Sequence, residues 1–454
     1  MTTEGAAAVS RLARWIASPR RATVIIVLLA AVLGALRGAA MRQVPGDFLR
    51  YHRAGRLVAT GRADLIYDAA FLRRQEVYAA ERTKGGDPLF EEEFKYGPAT
   101  AVLMAPLGAL PVRPANAIWS AWNAGLIAWM FVACWQLCGA SVSAWFVLVP
   151  IVVCLRLIGS NVSLGQINPC AIVPATLGMV WLARRRDTAA GVAIGLGTVV
   201  KYMPGLLAVW LIAKRRWRAL FACIATVVLL GAVLPAVVLG PGRSVDLAGQ
   251  WLHARTHVYT DAAAADVPGY SVKSFVYRVV GDVPYVTFSN TSGRPLVIGW
   301  GLLGPSGLRT LALAIDVALL AWVLWRTRGP LRDERDPRGA LEAAAMLALL
   351  PLVSPEARLP HFLFLALPLT AITCALVRGD IAPRRRSAVI VLSLLAVALL
   401  HATWPKLLGE RGGLLAEAWC APGAGALALL AAVLVAIRAP QRDAPPGPSA
   451  ESTT

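Results

Sequence analysis

The chain has 454 residues, of which 57% are apolar and only 16% are charged. Soluble domains carry about 25% charged residues, so this chain has too few to cover several soluble domains. Its apolar runs recur from residue 22 to residue 437 and therefore form more than a single anchor. A secreted, cytosolic or singly anchored protein is therefore excluded. The net charge of +19 does not indicate nucleic acid, because a nucleic-acid-binding face needs a soluble domain and none is visible.

Twelve apolar segments are candidates for transmembrane helices, each of which needs roughly 20 apolar residues. They are 22–40, 98–112, 115–138, 142–159, 167–183, 188–213, 219–239, 308–326, 340–353, 361–377, 387–401 and 423–438. Several are short, and 98–112 and 340–353 are candidates for tilted or partly embedded helices. The first segment resembles a signal peptide, but the segments after it favour a retained helix. The pattern predicts an all-α polytopic integral membrane protein with about 10 to 12 membrane segments.

Basic clusters at the ends of the apolar runs orient the chain, because loops rich in Lys and Arg stay in the cytoplasm. Both termini are expected there, residues 1–21 as the N-terminal segment and 439–454 as a disordered tail, with the membrane domain at 22–438. Three long loops then lie outside: 41–97, 240–307 and 402–422. The mixed residues of 47–83 predict amphipathic helices at the outer interface.

The cluster Arg184-Arg185-Arg186 conflicts with this scheme, because it lies outside if every segment crosses. Re-entrant segments at 142–159 and 188–213 would move it inside. Lys201-Tyr202-Met203-Pro204 splits the second of these segments into halves too short to span alone. Broken helices of this kind commonly line a site. The sequence favours at least one re-entrant element and leaves the choice open.

Asp47, just outside the first helix, is the first candidate for chemistry. A carboxylate at a membrane boundary can accept a proton from a hydroxyl. It can also cap the amphipathic helix that begins there, and spacing alone favours the cap. Asp64 and Asp68 are read as turn or cap residues.

Lys201 is the second candidate, since it is the one charged residue in 188–213. A charge at mid-membrane costs about 2.5–3.5 kcal/mol, so it should face protein, water or an anion. A lysine that extends to an interface explains it equally well. Arg156, Asp316 and Glu342 are also charged residues in apolar segments, and a structural ion pair is the simpler explanation for each.

Two outer segments carry further polar side chains. Ser354–His361 brings Glu, Arg and His to an outer turn, where they could position a phosphate and a sugar. Tyr270–Arg278 carries two cations on an interfacial helix. A solvated turn and a plain interfacial helix are the alternatives. The seven Cys have no CxxC spacing, so neither a metal site nor a redox role is expected.

No Walker motif and no GxGxxG after a strand appears. An enzyme of this composition would need an activated donor that resides in the membrane.

These features together resemble the GT-C glycosyltransferases, specifically family 87, the polyprenyl-phosphate-mannose-dependent mannosyltransferases of bacterial envelopes. The resemblance covers residues 47 to 361, and its landmarks appear in family order. They are Asp47-Phe48 with Leu65-Ile66-Tyr67-Asp68, Lys95-Tyr96-Gly97-Pro98, Gly165-Gln166-Ile167-Asn168, Lys201 with Pro204, Ser271 to Arg278, and Ser354-Pro355 to His361.

The resemblance implies a GT-C-type helical bundle in the bacterial plasma membrane with extracytoplasmic amphipathic helices. It implies an inverting transfer, without metal or cofactor, from a polyprenyl-phosphate sugar to a lipid or glycan hydroxyl. By this resemblance Asp47 matches the general base, His361 matches a histidine near the donor phosphate, and Lys201 and Arg278 match basic positions. Ser271, Gln166, Asn168 and Tyr96 fall in the same motifs as substrate-binding candidates.

Two other functions remain open at this stage. A transporter or lipid flippase would also have a broken helix and charges within the membrane, but it usually shows paired repeats and short loops. A glycan polymerase or ligase that uses polyprenyl diphosphate would also explain the outer cations. The long outer loops favour an enzyme.

Overall fold

The structure, a computed structural model, describes residues 19–68, 94–138, 146, 148–260, 269–285, 296–329 and 337–437. Within these residues the protein is built of helices, and Tyr285 and Leu296 form an isolated antiparallel bridge. The predicted all-α polytopic fold is confirmed. The expected C-terminal tail, most of the N-terminal segment and the second half of the amphipathic stretch 47–83 lie outside the described residues.

The helices coincide with the predicted apolar segments and with parts of the long outer loops. In chain order they are α1 (Pro19–Ala40), α2 (Gly46–Ala59), α3 (Pro98–Gly108), α4 (Val112–Cys138), α5 (Leu148–Leu164), α6 (Asn168–Ala183), α7 (Asp187–Val200), α8 (Leu207–Ala213), α9 (Trp217–Val228), α10 (Leu234–Leu239), α11 (Pro241–Thr260), α12 (Val272–Phe275), α13 (Pro305–Arg326), α14 (Pro337–Val353), α15 (Ala366–Arg378), α16 (Pro383–His401), α17 (Pro405–Ala418) and α18 (Ala421–Ala436). A π-helical turn, Leu229–Val233, joins α9 to α10, and another, Val276–Val280, follows α12. Short 3₁₀ helices occupy Ala63–Leu65, Met203–Leu206 and Leu359–Leu365.

Five helical stretches within the described residues are long and apolar enough to cross a membrane, and the α16–α17 pair, bent by 82°, makes a possible sixth. The five are Arg21–Ala40, Val112–Leu137, Trp217–Leu239, Pro305–Arg326 and Leu359–Arg378. Most of the other predicted segments form apolar helices of 10–17 residues. Length alone therefore supports fewer crossings than the 10 to 12 segments expected.

Helices α1 and α4 pack antiparallel. The Asn116 amide donates to the Gly38 carbonyl (3.0 Å) at one end, and the Gln136 amide donates to the Thr23 hydroxyl (3.0 Å) at the other. A Cβ atom on Gly34 would lie only 2.5 Å from the Ser120 carbonyl oxygen, so glycine permits the close packing. The C-terminal end of α1 therefore lies beside the start of α4, which is the end of the bundle that carries α2 and α3.

At the other end of the bundle the turns between helices carry many Arg and Lys residues, and side chains join these turns into one face. Lys214 bonds to the Gly329 carbonyl (2.9 Å) and pairs with Glu342 (2.6 Å). Arg326, in turn, donates to the Leu434 carbonyl (2.6 Å) near the end of α18. The turns at 184–186, 214–216 and 327–329 form this surface. We call it the basic face, because these turns are rich in Arg and Lys.

The turn at Arg184-Arg185-Arg186 lies on this same basic face. The Arg216 guanidinium contacts the Asp187 carboxylate and donates to the Leu182 carbonyl (3.2 Å). The segment Asp187–Ala213 thus leaves the basic face and returns to it, with its reversal at Lys201-Tyr202. Of the two segments left open by the sequence, 188–213 is therefore re-entrant. The other, 142–159, corresponds to α5 over its described residues.

This arrangement predicts how single cysteines would be labelled. Cysteines introduced as Arg186→Cys and Arg218→Cys, two exposed positions, should react with a membrane-impermeant maleimide from the same side of the membrane. A third, Glu410→Cys on exposed α17, should react from the opposite side. The parent chain serves as the blank. Labelling of positions 186 and 218 from opposite sides would show that the segment between them crosses.

Candidate active site

A cavity of about 490 Å³ lies at the end of the bundle away from the basic face. Five of the predicted site residues line it: Asp47, Tyr96, Gln166, Lys201 and His361. A sixth, Asn168, lies directly behind Lys201 and accepts a hydrogen bond from its amine (2.9 Å). Residues from five separate parts of the sequence therefore converge on one cavity.

Asp47 lies in the first turn of α2, and its carboxylate faces the cavity. The helix begins at Gly46 with Pro45 as its N-cap, so the interpretation of Asp47 as the cap is wrong. Its Oδ1 accepts a hydrogen bond from Arg50 (2.7 Å), and its Oδ2 contacts the Gln166 side-chain amide. The carboxylate is thus fixed from two sides. A carboxylate oxygen can accept more than one hydrogen bond, so a carboxylate held in this way can still receive a proton.

The turn between α5 and α6 brings Gln166 to Asp47. Gly165 adopts a positive φ of 65°, which a residue with a side chain rarely adopts. A Cβ atom on Gly165 would lie 2.8 Å from the Pro45 Cβ and 2.9 Å from the Phe48 Cβ. Trp119 also donates its indole hydrogen to the Gly165 carbonyl (2.9 Å). The glycine therefore permits the contact between this turn and the start of α2 that positions Gln166.

Lys201 reaches the cavity because α7 ends there. Its backbone is extended (φ −153°, ψ 124°) and its N–H closes the helix on the Gly197 carbonyl (2.9 Å). The amine contacts His361 Nε2 and lies 5.9 Å from the centre of the Tyr96 ring. A cation over an aromatic face is favourable where water is scarce. The helix break thus presents a cation to the cavity.

His361 comes from the turn that joins α14 to α15. It is buried and lies in the 3₁₀ helix Leu359–Leu365. Its Nδ1 lies 2.8 Å from the Arg358 nitrogen and 3.1 Å from the Arg358 carbonyl oxygen. Glu356 and Arg358 of the same turn also line the cavity. The predicted gathering of Glu, Arg and His at this turn therefore faces the site.

Tyr51 and Tyr96 form the aromatic part of the site. Their hydroxyl oxygens are 3.2 Å apart, and the Ile167 N–H donates to the Tyr51 hydroxyl (3.4 Å). Burial is the main reason why the pKa of each hydroxyl lies above its ordinary value. Both phenols therefore remain protonated at neutral pH and serve as hydrogen-bond donors.

The sequence did not single out three of the charged or aromatic side chains that line the cavity. Arg50 is one helical turn after Asp47, and Trp251 and Arg255 lie on one face of α11. The spacing of four between the last two, with Ala248 three residues earlier, is the one signal that could have identified them. The sequence predicts α11, the helix that carries Trp251 and Arg255, only as part of the outer loop 240–307.

Ser271 and Arg278 are placed elsewhere, since neither is among the described residues that line the cavity. Ser271 is the N-cap of α12, and its hydroxyl accepts the Ser274 N–H (3.3 Å). The Arg278 guanidinium is fully buried and donates to the Glu417 carbonyl (2.9 Å). Their observed contacts are with the protein itself.

The other charges in apolar segments have mainly structural contacts. Glu342 pairs with Lys214 (2.6 Å) and with Arg338 (2.8 Å), which confirms a structural ion pair. Arg156 donates to the Leu400 carbonyl (3.1 Å). Among the described residues, Asp316 Oδ1 has no hydrogen-bond partner.

The lining of the cavity combines two chemistries. Arg50, Lys95, Lys201, Arg255 and Arg358 outnumber the carboxylates of Asp47 and Glu356. This excess favours an anionic ligand, and Arg and Lys are the side chains that bind phosphate. Valines, an alanine and a proline from α3, α7 and α9 also line the cavity and form an apolar wall, which suits an apolar chain. Within the described residues no group of three or more His, Cys, Asp or Glu side chains is arranged to hold a metal ion.

Comparisons with known proteins show one family and two relatives that the chain resembles. The family model of Glycosyltransferase family 87 matches residues 94–355, more than half of the chain. The chain is also 29% identical over 154 residues to an Alpha-(1->3)-arabinofuranosyltransferase of Mycobacterium tuberculosis, found in strains CDC 1551 / Oshkosh and ATCC 25618 / H37Rv. That match covers 32% of this chain and 35% of the relative, so the chain spans about a third of the relatives it matches.

No solved structure matches the chain. The match of the family model over more than half of the chain favours an enzyme over a transporter. The chain belongs to glycosyltransferase family 87 and has the fold of a polytopic membrane protein.

Proposed function

We propose that this enzyme moves a sugar from a polyprenyl-phosphate donor to a hydroxyl of a lipid or glycan acceptor. One observation carries the proposal: the cavity holds a fixed carboxylate, an excess of cations and an apolar wall together. A polyprenyl-phosphate sugar has the matching parts, namely a sugar, a phosphate and a long apolar chain.

The apolar wall supports a donor that resides in the membrane. Part of it is Val227, Val228 and Gly231, from the long apolar stretch Trp217–Leu239. The same stretch exposes Val228 and Leu229 on the protein surface. This stretch thus borders both the cavity and exposed apolar surface, and a prenyl chain beside it would stay in hydrocarbon while its phosphate reaches the cations.

In the proposed reaction Asp47 acts as the general base. The acceptor hydroxyl gives its proton to an Asp47 oxygen while the hydroxyl oxygen forms a bond to the anomeric carbon. The bond from that carbon to the phosphate oxygen breaks on the opposite side, so the configuration inverts and polyprenyl phosphate leaves. Lys201 and its neighbour His361 stabilise the negative charge on the leaving phosphate. Tyr96, Gln166 and Asn168 orient these groups through the contacts described above, and the reaction involves no metal or cofactor.

Two sugars are candidates. The family resemblance implies mannose, whereas the relative from Mycobacterium tuberculosis is an arabinofuranosyltransferase. Under the positive-inside bias the basic face lies in the cytoplasm of a bacterial plasma membrane with both chain termini. The cavity then opens towards the outer side, where lipid-linked sugars are used.

The test is transfer of radiolabelled sugar by purified protein in lipid nanodiscs. The donors are polyprenyl-phosphomannose, polyprenyl-phosphoarabinofuranose, a polyprenyl-diphosphate sugar and a nucleotide sugar, each with alkyl mannoside and alkyl arabinofuranoside acceptors. We expect transfer from a monophosphate donor, and the preferred sugar identifies the specificity. Transfer from the diphosphate donor alone would indicate a polymerase or ligase. Transfer from the nucleotide sugar alone would refute a lipid-linked donor.

A further inference from the structure

Arg278 contacts three backbone carbonyl groups and an aromatic ring. Its guanidinium donates to the carbonyls of Glu417 (2.9 Å), Ala418 (3.4 Å) and Gly269. The centre of the guanidinium is 4.5 Å from the centre of the Tyr285 ring. A fully buried guanidinium in this environment has its charge matched by carbonyl dipoles and a π face. Arg278 therefore joins the end of α17 to the segment that begins at Gly269.

Tyr285, the aromatic partner of Arg278, is itself held in place by a hydrogen bond. The Tyr285 hydroxyl donates to the Glu417 carboxylate (2.7 Å), which belongs to the same end of α17. Burial is the main reason why the pKa of the Tyr285 hydroxyl is raised, so the phenol stays protonated and keeps this bond at neutral pH. Arg278, Tyr285 and Glu417 thus form one buried cluster, which we call the Arg278 cluster.

The segment held by the Arg278 cluster contacts the cavity turn directly. The N–H of Tyr270, next to Gly269, donates to the Ala357 carbonyl (2.7 Å). The Tyr270 ring also packs edge-on against Phe362, with 6.2 Å between the ring centres. Ala357 lies between Glu356 and Arg358, and Phe362 follows His361. The backbone of the turn that carries these lining residues therefore rests on Tyr270.

We propose that Arg278 is a positioning residue, which acts on the reaction by fixing Gly269-Tyr270 and, through them, the turn 354–361. This inference rests on the proposed function, because it assigns Arg278 an effect on the site that performs the transfer. It differs from a role in binding the donor phosphate. A phosphate ligand must reach the cavity, whereas the observed partners of Arg278 are carbonyl groups and a ring.

The first test measures hydrogen exchange of the wild-type protein and of Arg278→Met in nanodiscs, without substrate. We expect backbone amides of 354–361 to exchange at least about tenfold faster in the variant, because local opening becomes easier. Lys406→Met is the matched control, since Lys406 is an exposed cation on α17, the helix whose end Arg278 contacts. It should leave this exchange unchanged. Unchanged exchange in Arg278→Met would overturn the inference.

The second test is a double-mutant cycle in the transfer assay. If Arg278 acts through the turn, Arg278→Met combined with His361→Ala should lose little more activity than His361→Ala alone. If Arg278 binds the phosphate independently, the two losses should multiply, and the inference fails. Arg278→Lys should restore part of the protection and of the rate, because an ammonium can still bond to some of the carbonyls.

A milder change guards against a variant that does not fold. Tyr285→Phe removes one hydroxyl and its bond to Glu417, and it should increase the exchange of 354–361 in the same direction. The two proposals also fail in different ways. A wild-type protein inactive with every polyprenyl-phosphate donor would refute the proposed function. Exchange of 354–361 in the variant would still decide whether Arg278 positions the turn.

Discussion

Replacement of Asp47 by Asn should reduce kcat for sugar transfer by about 10²–10⁴-fold, the usual contribution of a general base. Asn has nearly the same shape as Asp, and its oxygen can still accept the hydrogen bond from Arg50. It cannot take a proton from the acceptor hydroxyl. The affinity for the donor should change much less than the rate, because in the proposed reaction the cations, and not Asp47, bind the donor phosphate. The measurement is initial rates over a range of donor and acceptor concentrations.

Asp64→Asn is the matched control for this variant. Asp64 is an exposed carboxylate in a 3₁₀ helix shortly after α2, and its replacement should leave kcat essentially unchanged. Both variants should retain the wild-type unfolding temperature in detergent. Undiminished transfer by Asp47→Asn would remove Asp47 as the base. Loss of transfer in both variants would point to a general effect of the outer segment.

Replacement of Lys201 by Met should lower kcat by about 10²–10³-fold, in the range found when one group that stabilises developing charge is removed. The amine lies among His361, Asn168 and the Tyr96 ring. The leaving phosphate gains negative charge as its bond to the sugar breaks, so the cation stabilises the transition state more than the bound donor. Inhibition by added polyprenyl phosphate should weaken as well, since this product carries the full charge.

Two controls separate this effect from misfolding. Lys406→Met should leave both the rate and the product inhibition unchanged. Lys201→Met should unfold at the wild-type temperature or above it, because it removes a charge from a partly buried site. If Lys201→Met kept its product inhibition while it lost rate, the amine would act on something other than the phosphate.

The helices were the part of the fold most accessible from sequence, because the length and hydropathy of an apolar run are local properties. Their paths through the membrane were less accessible. Segments 98–112 and 188–213 are as apolar as those that cross, but α3 packs on α2 and the other segment turns back at Lys201. A reversal of this kind depends on contacts such as that of Arg216 with Asp187, which sequence spacing does not reveal.

The site shows the same division. Asp47 and Lys201 could be identified because a carboxylate beside a helix end and a lone cation in an apolar run are unusual on their own. Trp251 and Arg255 could not, since only tertiary packing brings one face of α11 to the cavity. Arg278 shows the converse limit. From the sequence, a basic residue in a recognisable motif is readily assigned to ligand binding. The structure instead shows Arg278 bonded to the Glu417 carbonyl, 139 positions away in the chain, and sequence spacing does not reveal such a contact.

The re-entrant segment restricts which changes of length the chain can accept. Helix α7 has 14 residues, so its length of about 21 Å sets the distance between the basic face and the backbone of Lys201. Removal of one residue from it would draw the amine back by about 1.5 Å and rotate it by about 100°. Lengthening an outer loop would disturb neither quantity. The position of Lys201 in the candidate site is therefore tied to the number of residues in α7, a helix that contributes only Thr198, Val199 and Val200 to the cavity lining.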